Sequence, residues 1–228
     1  MEITDMRLHK LAGWSSLVVA FLYTIITSLY VIIGKAPSDI TSALRYYSSY
    51  HQIWYCILYL SVFTDILYLP IMYLLYYKRQ PIDEIITSIA FFFIILFVFL
   101  DLSITWPNYS VLIDTGMAYI NTNDDIKRQI LISAATNSKM ILDSTLFGVY
   151  TILIPATGIS LTALIKGNNV INRPIRIIGL LIGIFGIIAV LGGLFITILG
   201  LFAIIASVLT LIWFLLIGIS SLKRISLT

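Results

Sequence analysis

Three aspartates carry most of the chemistry this sequence offers. Asp65 lies near the middle of WYCILYLSVFTDILYLPIMYLLYY (residues 54–77), Asp101 near the far end of the next apolar stretch, and Asp143 at the entrance of a later one. A carboxyl group inside a hydrocarbon layer is costly, must face protein or water rather than lipid, and is by default a functional-site hypothesis. No lysine or arginine occurs at comparable depth to neutralise Asp65, about 16 Å along its helix from Trp54. The chemistry that fits is a proton or cation site opening outward, with Asp65 deepest and Asp101 and Asp143 at its mouth. The plainer alternative gives Asp65 a proton and a hydrogen bond to a neighbouring helix, and leaves Asp101 and Asp143 wetted at the interface. Lys139, four residues before Asp143, is spaced to pair with it, in the less favourable order.

The remaining reactive residues offer little. Helical spacing puts Ser61, Tyr68 and Met72 on the face of Asp65, a mildly polar stripe that turns toward other helices. His9 and His51 are expected on opposite sides of the membrane, which excludes a shared metal or paired haem ligands. Cys56 is the only cysteine, so a disulfide framework and a multi-cysteine metal site are both excluded. HExxH, CxxC and GxSxG are absent, and no Ser/His/Asp set would be brought together by the topology. No cofactor and no enzymatic nucleophile with its base are expected. The tyrosines and tryptophans cluster at the ends of apolar stretches, where interfacial belts account for them.

The elements that position these residues are membrane spans. The chain is 60% hydrophobic and 11% charged, with a mean hydropathy of +1.01, whereas a soluble domain carries about 25% charge. There is too little polar surface to cover a water-facing exterior. A hydrocarbon core about 30 Å thick needs roughly 20 helical residues. Asp65 resists insertion by about 2.5 to 3.5 kcal/mol, but each Leu, Ile, Val or Phe favours it by about 0.3 to 0.6, and the stretch holds eleven of them. Six spans follow, at about 11–34, 54–77, 85–106, 140–165, 175–194 and 198–222, in one all-α membrane domain of residues 1–228. The first run is too long for a signal-peptide core and lacks a small-residue cleavage site, so it is expected to stay in the mature protein.

Between the spans, Pro37-Ser38-Asp39 resembles a helix start with Ser38 as its cap. Asn123-Asp124-Asp125 resembles another. Helices two and four are therefore expected to extend beyond the outer face. Pro107 should stop the third helix, leaving residues 108–139 as the longest polar connection, and Pro155 should kink the fourth. Asp65 with Pro70 and Asp143 with Pro155 form a loose internal echo of the kind repeats leave in transporters. Gly179, Gly183 and Gly186 form a small-residue pattern that lets helices approach closely, within the chain or against a second copy or membrane partner. It is not a nucleotide loop, because it lies inside an apolar span without a phosphate-binding lysine.

An even number of spans puts both termini on one side. Arg7, Lys10, Lys78, Arg79, Lys166, Arg173, Arg176, Lys223 and Arg224 fall there, against Lys35, Arg45, Lys127, Arg128 and Lys139 opposite. The positive-inside rule makes the termini cytoplasmic, in the cell membrane. The formal charge of +3 is concentrated at that face and does not form a nucleic-acid patch.

The basic start running into LAGWSSLVVAFLYTI, the acid followed by LYLPIMYLLYYKR, GISLTALIKGNNVINRPIRIIGLLIGIFGI and the closing LIWFLLIGISSLKR together resemble the DUF4386 family of multi-pass membrane proteins. The resemblance implies six or seven helices and supplies no catalytic residues. The functional expectation is a non-enzymatic protein that binds or passes a small solute or ion through an outward-facing cavity near Asp65. Its alternatives are an accessory or structural subunit packing through the glycine-rich helices and, third, a lipid-modifying membrane enzyme.

Overall fold

The computed structural model describes residues 3–165 and 171–225; residues 166–170, Lys166 among them, lie outside. The described residues are helical and contain no strand. Six segments are long and apolar enough to cross a membrane: Asp5–Ile33, His51–Arg79, Glu84–Asn121, Thr145–Leu164, Arg173–Gly192 and Thr197–Arg224. Each buries less than half of its most apolar window inside the protein. Phe21, Phe92, Phe99 and Ile204 are among the large apolar side chains left facing outward. Such a surface is stable against lipid and untenable in water, so the chain is an all-α, multi-pass membrane bundle.

The helices are α1 (Ile3–Ile33), α2 (Ile40–Ser49), α3 (His51–Arg79), α4 (Glu84–Leu100), α5 (Trp106–Asn121), α6 (Asp125–Leu142), α7 (Thr145–Gly148), α8 (Ile154–Leu164), α9 (Arg173–Ile187) and α10 (Phe202–Ile225). α1 packs along both α3 and α10, α4 against α8, and α8 against α9. Their shared core holds Val19, Tyr68, Ile71, Leu75, Phe97, Ile159, Ile182, Trp213 and Phe214. The glycine pattern is used inside the chain. A Cβ on Gly179, Gly183 or Gly186 would collide with Ala163, Ser160 or Ala156, so all three let α9 lie close on α8.

A second core lies at the other end of the bundle. Ala43, Leu44 and Tyr47 of α2 meet Leu112 and Ile113 of α5, Ala135 and Leu142 of α6, and Trp54 of α3. Gly116 sets the contact between α5 and α2, because a Cβ there would stand 2.7 Å from the Leu44 carbonyl oxygen. Three short polar helices thus form a cap over the spans.

Several expectations change. Asp39, not Ser38, caps α2, its Oδ2 accepting from the Ser42 N–H at 2.8 Å. The extensions of helices two and four are separate helices: α2 ends at Tyr50, and α6 ends at Asp143, after which Ser144 caps α7. Span four therefore starts at Thr145 rather than Met140, which leaves Asp143 outside it and removes the internal echo. Pro107 does not stop the third helix. A single π-helical turn, Asp101–Thr105, carries the chain from α4 into α5, and residues 108–139 are mostly helical. A second π turn, Val149–Leu153, precedes Pro155. A proline ring in a regular helix collides with the carbonyl four residues back. Here those carbonyls, of Ser103 and Thr151, each belong to the third residue of a π turn, whose wider winding moves them aside.

Candidate functional site

The π turn between α4 and α5 builds the site. It closes with the Trp106 N–H donating to the Asp101 carbonyl five residues back, and it brings both side chains to the wall that faces α3. There the Trp106 Nε1–H donates to Asp65 Oδ2 at 2.8 Å. The Asp101 carboxyl lines the same cavity as Asp65 and Trp106. Asp65 is 3% exposed and Asp101 6%. Asp101 is thus not at the mouth of the site but buried against Asp65.

The two acids share a cavity of about 130 Å³ with Tyr23, Ile26, Tyr30, Ser61, Thr64 and Trp106. Among the described residues no basic side chain lines it. Thr64 turns its hydroxyl back to the Leu60 carbonyl at 2.7 Å, while Asp101 Oδ1 and Thr105 Oγ1 are buried without a hydrogen-bond partner. Unsatisfied buried oxygens are uncommon and call for a proton, water or cation. Ser61 lies on the acids' wall, as its helical spacing places it. Tyr68 is one turn deeper, its hydroxyl 3.0 Å from that of Tyr23. Beyond this pair a smaller cavity of about 60 Å³ is lined by Tyr23, Tyr68, Phe97, Pro155 and Ser207 among others.

Asp143 does not join the pair. It caps the end of α6, accepts from Lys139 Nζ at 2.8 Å and lines a different chamber. That chamber, about 220 Å³, lies between the cap and the spans and is walled by Tyr30, Tyr46, Tyr47, Trp54 and Tyr109, with Lys35, Lys139 and Asp143 around it. Tyr30 belongs to both chambers and stands between them. Trp54 stacks on Tyr109 at 5.0 Å and also packs on Tyr47, Tyr30 and Tyr46. Tyr109 continues the row to Trp106 at 5.8 Å.

At the opposite end the basic side chains of α3 tie it to its neighbours. Lys78 pairs with Asp5. Arg79, 1% exposed, donates from Nη1 to the Ile165 carbonyl beyond the C-terminus of α8, where the helix dipole favours a cation.

Trp106 and Thr105 were not legible as site residues. In a regular helix a residue five positions after Asp101 points elsewhere, and only the π turn aligns the two. The one sequence signal was Pro107, which forbids a regular turn at that point. Among the described residues no group of three or more His, Cys, Asp or Glu could hold a metal ion. In comparison with known proteins, no family model matches the chain, and no curated protein or solved structure matches it.

Proposed function

We propose that this membrane protein binds or passes a small solute or ion through an outward-facing cavity, with Asp65 and Asp101 acting together as a proton or cation site. One observation carries the reading: two buried carboxyl groups share a cavity that, among the described residues, no basic side chain lines. Like charges so close cannot both persist uncompensated in a low-dielectric interior, so the pair holds one proton between them or a small cation. Trp106 fixes the geometry by giving Asp65 a donor, which leaves the free edge of Asp101 toward Thr105. The open outer chamber and the packed opposite end support an outward-facing state. The basic residues at that packed end support cytoplasmic termini in a cell membrane. Likeness to DUF4386 proteins adds a layout to this reading and no residue role.

Infrared difference spectroscopy of the full chain in lipid tests it by following the carboxyl C=O stretch as pH is varied. Because the two groups titrate as one unit, Asp65→Asn and Asp101→Asn should each shift the titration of the carboxyl that remains, and only the double variant should lose the signal. Two signals lost independently, or no change in either variant, would refute a shared site. Displacement of the signal by Na⁺ or K⁺ at constant pH distinguishes a cation site from a proton site.

A further inference from the structure

We infer that the outer chamber is a recognition site for a compact organic carboxylate, separate from the acid pair. The chamber has about 220 Å³, the space of several waters at about 30 Å³ each, or of one small organic molecule. Its walls are aromatic, as ligand sites commonly are, with a few polar groups that fix orientation. The polar groups decide the class. Two lysines, Lys35 and Lys139, stand against one aspartate, Asp143, so the lining carries a formal charge of +1. Trp54, 3% exposed, contributes an indole N–H that is buried without a hydrogen-bond partner, and an indole can donate but not accept.

An aromatic box could instead select an organic cation through its ring faces. Here Trp54 is packed against four neighbouring rings at centroid distances of 5.0 to 6.3 Å, and its faces are taken. What remains is donors and net positive charge around an apolar space, which suits a carboxylate on a small planar or apolar body. In this arrangement the carboxylate accepts from the N–H groups that Lys139 does not give to Asp143, with the buried Trp54 N–H behind them in the same wall, and Lys35, exposed at the rim, draws it in.

Calorimetry on the detergent-solubilised full chain tests this with three probes of one shape: benzoate, benzylammonium and benzyl alcohol. Benzoate should bind tightest of the three. Lys139→Gln should weaken it about tenfold or more, as loss of a charge-assisted hydrogen bond does, and Trp54→Phe several-fold. Lys35→Gln, at an exposed position that cannot unfold the chain, should also weaken it several-fold. Asp65→Asn should leave benzoate binding unchanged, which separates this site from the acid pair. Benzylammonium or benzyl alcohol binding as tightly as benzoate would overturn the proposal. So would benzoate affinity that Lys139→Gln and Lys35→Gln both leave intact, or that Asp65→Asn removes. Octanoate binding more tightly than benzoate would assign the chamber to a fatty acid from the bilayer and overturn the compact ligand.

Discussion

Asp39 shows how one side chain can couple the outer cap to acidity. The Ser42 backbone N–H, followed by the Ser42 hydroxyl and the amides of Thr41 and Ile40, holds its carboxyl below the usual value. A carboxyl whose folded value is depressed stabilises the fold above its unfolded value of about 3.9, and that contribution is lost as pH falls through the folded value. Amide protection in residues 40–49, corrected for intrinsic exchange, should therefore drop as the pH falls below about 4. Asp39→Asn keeps a capping oxygen without a titrating charge, so its protection should not follow pH in that range. Protection that falls equally in both proteins would assign the loss to another group. Asp65 and Asp101 differ from Asp39 in kind, because they answer each other and an indole rather than a helix end. Asp65 was legible as an acid in an apolar run. Asp101 was legible as a member of the same site but not as its buried neighbour, because their nearness depends on how α3 and α4 are wound past one another.

The elements divide into those the sequence pattern reveals and those set by packing. Span existence follows from long apolar runs, and the turn near Gly192-Gly193 lies where the runs suggest, since the sixth span begins at Thr197. The π turns could not be read this way: Pro107 and Pro155 mark two of them, while a third, Ile188–Gly192, carries no proline. A proline says that a regular turn is forbidden but not whether the helix breaks, kinks or widens, and the packing of α4 on α8 and of α5 on α2 decides. The cap was the larger omission. Residues 108–139 look polar because their apolar positions form narrow stripes on short helices, and those stripes find their partner only when α2 folds over. Gly116 tests this account, because the carbonyl of Leu44 lies where its side chain would be. Gly116→Ala should destabilise the cap by about 1 to 3 kcal/mol through overpacking, read as faster amide exchange in α2, α5 and α6 with the spans unaffected. Gly200→Ala, with nothing within 4 Å of its Cβ position, should show no such packing penalty. Equal exchange in the Gly116 variant and the parent would mean that the cap is loosely held.

At the scale of the whole molecule, the two ends of the bundle differ in kind. The capped end holds an aromatic chamber that shares Tyr30 with the cavity of the acid pair, while at the other end Arg79 and the Lys78–Asp5 pair tie α3 to α8 and α1. If the basic residues set orientation, that end faces the cytoplasm, and the cap with its chamber faces outward. Labelling of intact cells with a membrane-impermeant maleimide decides this. Cys56, exposed on α3, is first replaced by serine. Single cysteines are then placed at Asn123, exposed in the turn between α5 and α6, and at Ile82, exposed in the turn between α3 and α4. Asn123→Cys should react in intact cells and Ile82→Cys only after permeabilisation, because an even number of membrane crossings separates the Ile82 turn from each terminus while one crossing separates it from the cap. The opposite pattern would turn the protein over and make the acid pair accessible from the cytoplasm. Labelling of both in intact cells would mean that Glu84–Asn121 does not carry the chain across the bilayer between them, and the burial of Asp101 within that segment would then need another explanation.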